Sequence, residues 1–185
     1  MPEYCDFLQG VCVLQSAIHE HLISDRIYNP EVAELIKNCG GIKFIPYDAQ
    51  ADETATALIT MRRDNIVLGG QANLAGSKTS SAFRPNIGLQ VHISTQSYYF
   101  TEKLGQELLQ YVASIQSAMR AFNLNIGSLA LSPTTNNKEA SPNYFINTLA
   151  ITGSIPLTMW KIQTSDDILS CIRTNITFNG QNILS

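Results

Sequence analysis

Few residues of this chain have side chains suited to catalysis or metal binding, and their spacing matches no catalytic or metal-binding pattern. The histidines are His19, His21 and His92. His19 and His21 are two residues apart on a predicted helix, so they point about 200° apart and cannot chelate one metal ion. His92 falls on the polar side of a predicted strand. We interpret all three as ordinary surface or half-buried histidines.

Two acidic segments could in principle bind a cation. Asp48, Asp52 and Glu53 cluster in one predicted loop, but the calcium-loop pattern requires a central glycine and a terminal glutamate that are missing here. Asp166 and Asp167 more simply place negative charge at the start of a predicted helix. We therefore predict solvated turns, no metal site and no other cofactor.

The segment Gly76-Ser77-Lys78-Thr79 superficially resembles the end of a phosphate-binding loop. That motif places a glycine before the lysine and a helix after it, whereas here Ser77 precedes Lys78 and Pro85 leads into a strand. Without a helix N-terminus there is no helix dipole to hold a phosphate. We do not expect nucleotide binding.

Nucleophilic chemistry has no clear candidate either. The cysteines at positions 5, 12, 39 and 171 form no CxxC motif, and Cys5 and Cys12 would lie roughly 10 Å apart along one helix, too far for a disulfide. We predict that all four are reduced, mostly buried thiols, whose apolar settings disfavour the reactive thiolate. The Gly-x-Ser-x-Gly elbow of hydrolases is missing as well. We predict that the protein is not an enzyme.

The charge composition also restricts the function. Charged residues make up 15% of the 185 residues and the net charge is −3, which disfavours a sequence-specific DNA or RNA binder. A surface of amides and hydroxyls is less costly to pack against neighbours than a charged one, which is typical of an assembly subunit but equally of a low-charge globular protein. No apolar run is long enough for a membrane span, and Met1 to Asp6 do not resemble a signal peptide.

The hydrophobic periodicity predicts one α+β domain over residues 1–185, with a helical part (1–40), an α/β core (41–163) and a C-terminal extension (164–185). Helices are predicted at Tyr4 to Asp25 and from Asn29-Pro30-Glu31 to Gly40-Gly41. Strands are predicted at 42–45 and 55–62, with a hairpin return at 66–68. A short helix at 166–172 and an extended piece at 175–178 end the chain.

The clearest pattern lies between Pro85 and Ile162. Alternation over 87–93 predicts a half-buried strand, and a long helix from Tyr98 to Phe122 follows, then a strand at 126–131 and an extended run at 144–162. We expect the helix to pack on a mixed or antiparallel sheet. The apolar stripe that defines this helix comprises Leu104, Leu108, Tyr111, Val112, Ile115, Met119 and Phe122.

Two long polar segments, 69–86 and 132–143, are predicted to be loops, and loops of this length are usually functional or disordered. Because 69–86 has few apolar side chains, we expect it to order against a neighbouring subunit rather than alone. We predict that the subunit and tube interface includes Gln71, Leu74, Lys78, Phe83, Arg84, Asn137 and Lys138.

The order of these elements, with Pro-x-Ile-x-Leu-x-Val entering the long helix and Tyr-Phe-Ile-Asn-Thr-Leu-Ala-Ile-Thr-Gly before Trp160, resembles the tail terminator and head–tail completion proteins of bacteriophages. The resemblance covers Pro85 to Trp160. It implies a structural virion protein, made in the host cytoplasm, whose hexameric ring caps the tail tube and contacts the head–tail connector. The alternatives are another neck, tube or baseplate subunit, and a small-ligand-binding or enzymatic α/β domain.

Overall fold

The computed structural model describes residues 9–24, 26–45, 56–64, 72–73, 80–83, 85–136, 143–155 and 157–160. The helices are α1 (Gln9–Ile23), α2 (Pro30–Asn38) and α3 (Tyr98–Met119), and a 3₁₀ turn (Arg120–Phe122) follows α3. The strands are β1 (Lys43–Phe44), β2 (Ala57–Arg63), β3 (Ala72–Asn73), β4 (Ser80–Phe83), β5 (Asn86–Thr95), β6 (Asn125–Leu131), β7 (Thr135–Asn136), β8 (Phe145–Ser154) and β9 (Leu157–Trp160).

A mixed sheet forms the centre of the fold, in the order β1-β2-β5-β8-β6, with β7 also paired to β8. Only the β1–β2 pair is parallel; the other neighbouring pairs are antiparallel. Because β5 and β6 are both antiparallel to β8, they run parallel to each other and α3 is the crossover between them. The predicted α+β fold with a long helix on the sheet is therefore confirmed.

The core lies between one face of the sheet and the helices. Side chains of β5 at positions 87, 89, 91 and 93 are all buried, as the alternation predicts. Leu104, Leu108 and Val112 of α3 are fully buried above them, because α3 packs across β5, β8 and β6. Val11, Leu14, Ile18 and Leu22 form the matching stripe of α1.

The apolar stripe of the long helix was predicted one residue too far at its C-terminal end. Phe122 is 39% exposed, because the helix gives way at Arg120 to a 3₁₀ turn with a different angular step. Cys12 and Ile23 of α1 are also exposed, since each lies about 100° around the helix from its buried neighbour. The start of α2 agrees with the prediction: the Asn29 side chain accepts a hydrogen bond from the Glu31 N–H, and Pro30 occupies the first turn.

The two polar segments are not simply loops, which corrects the prediction. Residues 69–86 contain β3 and β4, and β4 pairs with β9 of the same chain. Residues 132–143 contain β7, and Thr134 before it donates a hydrogen bond to Glu102 of α3. Short strands of small polar residues have no strong periodicity, so the sequence did not indicate them. The hairpin predicted between residues 55–62 and 66–68 concerns β2. In the structure β2 pairs with β5, and residues 66–68 lie outside the described residues.

Candidate functional site

The predicted interface residues fall mostly outside the described ranges. Phe83 is the last residue of β4. The remaining residues of that prediction are not described; they are Gln71, Leu74, Lys78, Arg84, Asn137 and Lys138. The acidic loop 48–53 and the predicted elements at 166–172 and 175–178 also lie outside.

Around Phe83 the strands form an arm, by which we mean β3, β4 and β9. β5 pairs with β8 from Thr95↔Phe145 to Asn86↔Ser154, and β4 pairs with β9 from Phe83↔Leu157 to Ser80↔Trp160. In every pair the two residue numbers add to the same total, so the register does not shift between the two sheets. The Ile155 N–H donates to the Pro85 carbonyl at 3.1 Å across the junction. One two-stranded ribbon therefore runs through both sheets.

The arm extends past the ends of the neighbouring strands of the main sheet. β2 is last paired to β5 at Arg63↔Leu89, and β6 begins on β8 at Asn125↔Ser154. Beyond these points, within the described ranges, β4 is flanked by the short β3 and β9 pairs with β4 alone. At about 3.3 Å per residue, the arm reaches about 20 Å past Ser154. Within the described residues, the edge of β9 away from β4 has no strand partner, and an edge of this kind is one that a neighbouring chain can pair with.

A buried polar cluster lies between α1 and α3. His21 and Glu107 have side chains that are 2% and 0% exposed, and His21 Nε2 lies 2.8 Å from Glu107 Oε1. Glu107 also accepts hydrogen bonds from the backbone N–H groups of Tyr28 (2.7 Å) and Asn29 (3.1 Å). Since backbone donors already converge on the carboxylate, His21 Nε2–H is the donor in this pair. Glu107 thus ties the α1–α2 connection to α3.

Aromatic rings complete this cluster and border an open pocket of about 420 Å³. Tyr111 stacks on the His21 imidazole with ring centroids 3.8 Å apart, and Tyr28 packs against the same ring at an angle. Burial raises the pKa of Tyr111, so its phenol stays neutral. The pocket is lined by Glu20, His21, Ser24, Arg26, Tyr28 and Tyr111.

Sequence reasoning treated His21 as ordinary and passed over Glu107. A signal for both was present in the helix patterns. Glu107 falls on the apolar stripe of α3 between Leu104 and Leu108, and His21 falls on the stripe of α1 three residues after Ile18. A single acid on one buried stripe and a single base on another are each costly unless they are paired. Their pairing could have been proposed on that ground.

The other histidine and cysteine predictions have mixed outcomes. His92 is half-buried on its strand as expected, with Nδ1 3.0 Å from Thr148 Oγ1; burial, together with Arg62, lowers its pKa. Cys39 is half-buried and burial raises its pKa, but Cys12 is exposed, which contradicts a buried position. In the part of the chain that the structure describes, no three histidines, cysteines or acids are grouped to hold a metal ion. No described helix has the length and apolar character to cross a membrane.

A second polar group sits on the surface where α2 meets the start of α3. The Tyr99 hydroxyl donates to Glu31 Oε1 at 2.5 Å, and Lys103 Nζ lies 3.5 Å from Glu31 Oε2. The hydrogen bond from Tyr99 lowers the pKa of Glu31, and the lysine acts in the same direction. This exposed group joins α2 to the start of α3.

Comparison with known proteins gives no independent indication of function. No protein-family model matches the chain, and no curated protein matches it. The geometry of the arm and of the buried cluster is therefore the basis for assigning a role.

Proposed function

We propose that this protein is a structural subunit of a tailed-bacteriophage virion, a tail terminator whose hexameric ring caps the tail tube and joins it to the head–tail connector. The observation that supports this most strongly is the arm formed by β3, β4 and β9. It continues the β5–β8 ribbon in unbroken register beyond the main sheet. A projecting ribbon adds little to the core of its own subunit and offers strand edges to another.

The composition supports the same role. Because only 15% of the residues in the chain are charged, packing against a neighbour requires few charges to be removed from water. The His21–Glu107 pair holds the α1–α2 connection on α3, which gives the body a rigid frame from which the arm extends. A ring subunit requires both features, a rigid body and an exposed pairing element.

Replacing residues 71–82, which include β3 and most of β4, with a short Gly-Ser link tests this role. The body of the sheet should still fold, because β5 keeps its partners β2 and β8. The variant should fail to form rings and fail to limit the length of tail tubes polymerised in its presence. A control replaces Glu34 and Lys37 by alanine, at exposed positions of α2, and should retain both activities. Ring formation and tube capping by the deletion variant would contradict the proposal.

A small-ligand-binding role has one observation in its favour, the pocket beside His21. It combines two tyrosine rings with the exposed Arg26, a lining suited to a planar anionic molecule. A monomer whose melting temperature rises with such a ligand, and whose response is lost in Arg26→Ala, would favour this role over the ring. Another neck, tube or baseplate position would instead be recognised by where antibody labels the assembled particle.

A further inference from the structure

The His21–Glu107 pair sets the hydrogen-bonding character of the pocket beside it. His21 Nε2–H donates to Glu107, so in the neutral imidazole the second ring nitrogen, Nδ1, carries a lone pair and is an acceptor. Nδ1 forms no hydrogen bond with a described residue. It is also not among the described unpaired atoms that are sealed from solvent, so it faces the pocket that His21 lines.

Two hydrogen-bond donors line the same pocket and are not used elsewhere in the described part of the chain. Arg26 is exposed, and its side chain forms no ion pair or hydrogen bond with a described residue. The Tyr111 hydroxyl is also unbonded within those ranges, whereas the Tyr28 hydroxyl lies 3.1 Å from Ser114 Oγ. Burial raises the pKa of Tyr111 and the charge of Arg26 lowers it, so the guanidinium lies within electrostatic reach of a neutral phenol. Together these two donors can hold one anionic group.

The rest of the lining is largely aromatic. The Tyr111 ring lies nearly parallel to the His21 imidazole with centroids 3.8 Å apart, and the Tyr28 ring is tilted against the same imidazole at 5.2 Å. Such surfaces favour a planar ligand, and about 420 Å³ is enough for a bicyclic ring system. Glu20 also lines the pocket, but its side chain is 74% exposed, so solvent screens its charge.

We infer that this pocket binds a planar aromatic carboxylate that also carries a hydrogen-bond donor. Arg26 and the Tyr111 hydroxyl hold the carboxylate, and His21 Nδ1 accepts from the donor. Glu107 is the positioning residue, because it holds His21 in the tautomer that presents a lone pair. A ligand without a donor leaves this acceptor unpaired, which is costly and makes the pocket selective. The site lies on the body of the subunit, so the inference goes beyond the proposed ring and does not depend on it.

Three probes of similar shape test the ligand chemistry by isothermal titration calorimetry on the full chain. Indole-3-carboxylate has the anionic group and a ring N–H, benzofuran-3-carboxylate has an oxygen in place of that N–H, and indole-3-carboxamide has no charge. Indole-3-carboxylate should bind with a Kd of about 1 mM or lower, as expected for about twelve non-hydrogen atoms. The benzofuran should bind about fivefold more weakly and the carboxamide about tenfold more weakly.

Substitutions assign the roles of the two key side chains. Arg26→Gln should weaken binding of indole-3-carboxylate about tenfold, whereas Arg63→Gln, at an exposed position of β2 outside this lining, should bind as the parent does. His21→Gln keeps an N–H donor for Glu107 but has no nitrogen or oxygen at the position of Nδ1. It should therefore bind the indole and benzofuran carboxylates equally. A purely structural role of His21 would lower stability and leave the ratio of the two affinities unchanged.

The contrary outcomes are distinct. A folded parent that does not bind indole-3-carboxylate, or that binds the benzofuran equally well, would overturn the inference. Binding that survives Arg26→Gln would place the probe outside this pocket and overturn it as well. If His21→Gln does not fold, the probe ratio of the parent and the effect of Arg26→Gln still decide. Rings that fail to bind the probe would leave the proposed function standing, whereas a monomer that binds it with the predicted ratio would remove the ring and keep the site.

Discussion

The imidazole of His21 and the carboxylate of Glu107, 86 residues apart in the chain, meet at 2.8 Å in a site from which solvent is almost completely excluded. The backbone N–H groups of Tyr28 and Asn29, in the α1–α2 connection, donate hydrogen bonds to the same carboxylate. Glu107 of α3 therefore holds in place both α1, through His21, and the α1–α2 connection that follows it.

Glu107→Ala should destabilise the protein by about 3–5 kcal/mol, the usual cost of removing one member of a buried pair. The substitution leaves His21 and the N–H groups of Tyr28 and Asn29 without their acceptor. Urea unfolding measures the loss. Glu34→Ala, at an exposed position of α2, is the control and should change stability by less than about 0.5 kcal/mol. Equal unfolding midpoints for the two variants would show that the pair contributes nothing.

Val112→Asp should prevent soluble folding, because Val112 is fully buried between α3 and the sheet and a carboxylate there would have no partner. Gln110→Asp, two residues away on the exposed face of α3, should melt within a few degrees of the parent. Expression yield and circular dichroism distinguish them. If Val112→Asp melts like Gln110→Asp, the assignment of the buried face is wrong.

Gly10→Ala should cost about 1–3 kcal/mol through overpacking, despite alanine's better helix propensity. A Cβ at Gly10 would lie 2.6 Å from the Phe122 carbonyl oxygen and 2.7 Å from Leu124 Cβ, so α1 would have to move off the end of the 3₁₀ turn. At Gly127 the nearest atom is 3.7 Å away, and Gly127→Ala is the comparison. Thermal melting that ranks Gly127→Ala as the more damaging change would contradict the packing described for α1.

Cys12 should react with a thiol reagent several-fold faster than Cys39 at pH 7.5. Cys12 is exposed on α1, whereas burial raises the pKa of Cys39 and lowers its thiolate fraction at that pH. The measurement uses a Cys5→Ser, Cys171→Ser background and single-cysteine controls. Because burial raises the pKa of Cys39, its reaction rate should keep increasing at pH values above the ordinary pKa of a cysteine thiol. A faster Cys39 would contradict its half-buried position.

The sequence predicted the parts of the fold that have strong periodicity. The alternation of Ile87 to Ile93 and the stripe from Leu104 to Met119 gave a strand and a helix whose buried residues agree with the structure. The turn at Asn29-Pro30-Glu31 was equally clear, because capping chemistry is local. These signals depend only on neighbours within a few residues.

Features that depend on distant partners were not predicted. β4 consists of Ser-Ser-Ala-Phe. It forms a strand because it pairs with β9, which lies some 75 residues later in the chain. The His21–Glu107 pair joins two helices, and nothing local to either residue identifies the other. The interface residues were chosen from two segments that were predicted to be loops, and only Phe83 among them lies in a described element.

The mass and shape of the purified protein test the central claim most directly. Light scattering combined with negative-stain electron microscopy should show closed rings with a mass about six times the 20.4 kDa of the chain. A homogeneous 20.4 kDa monomer at micromolar concentration, with no rings on the grid, would contradict the proposed role.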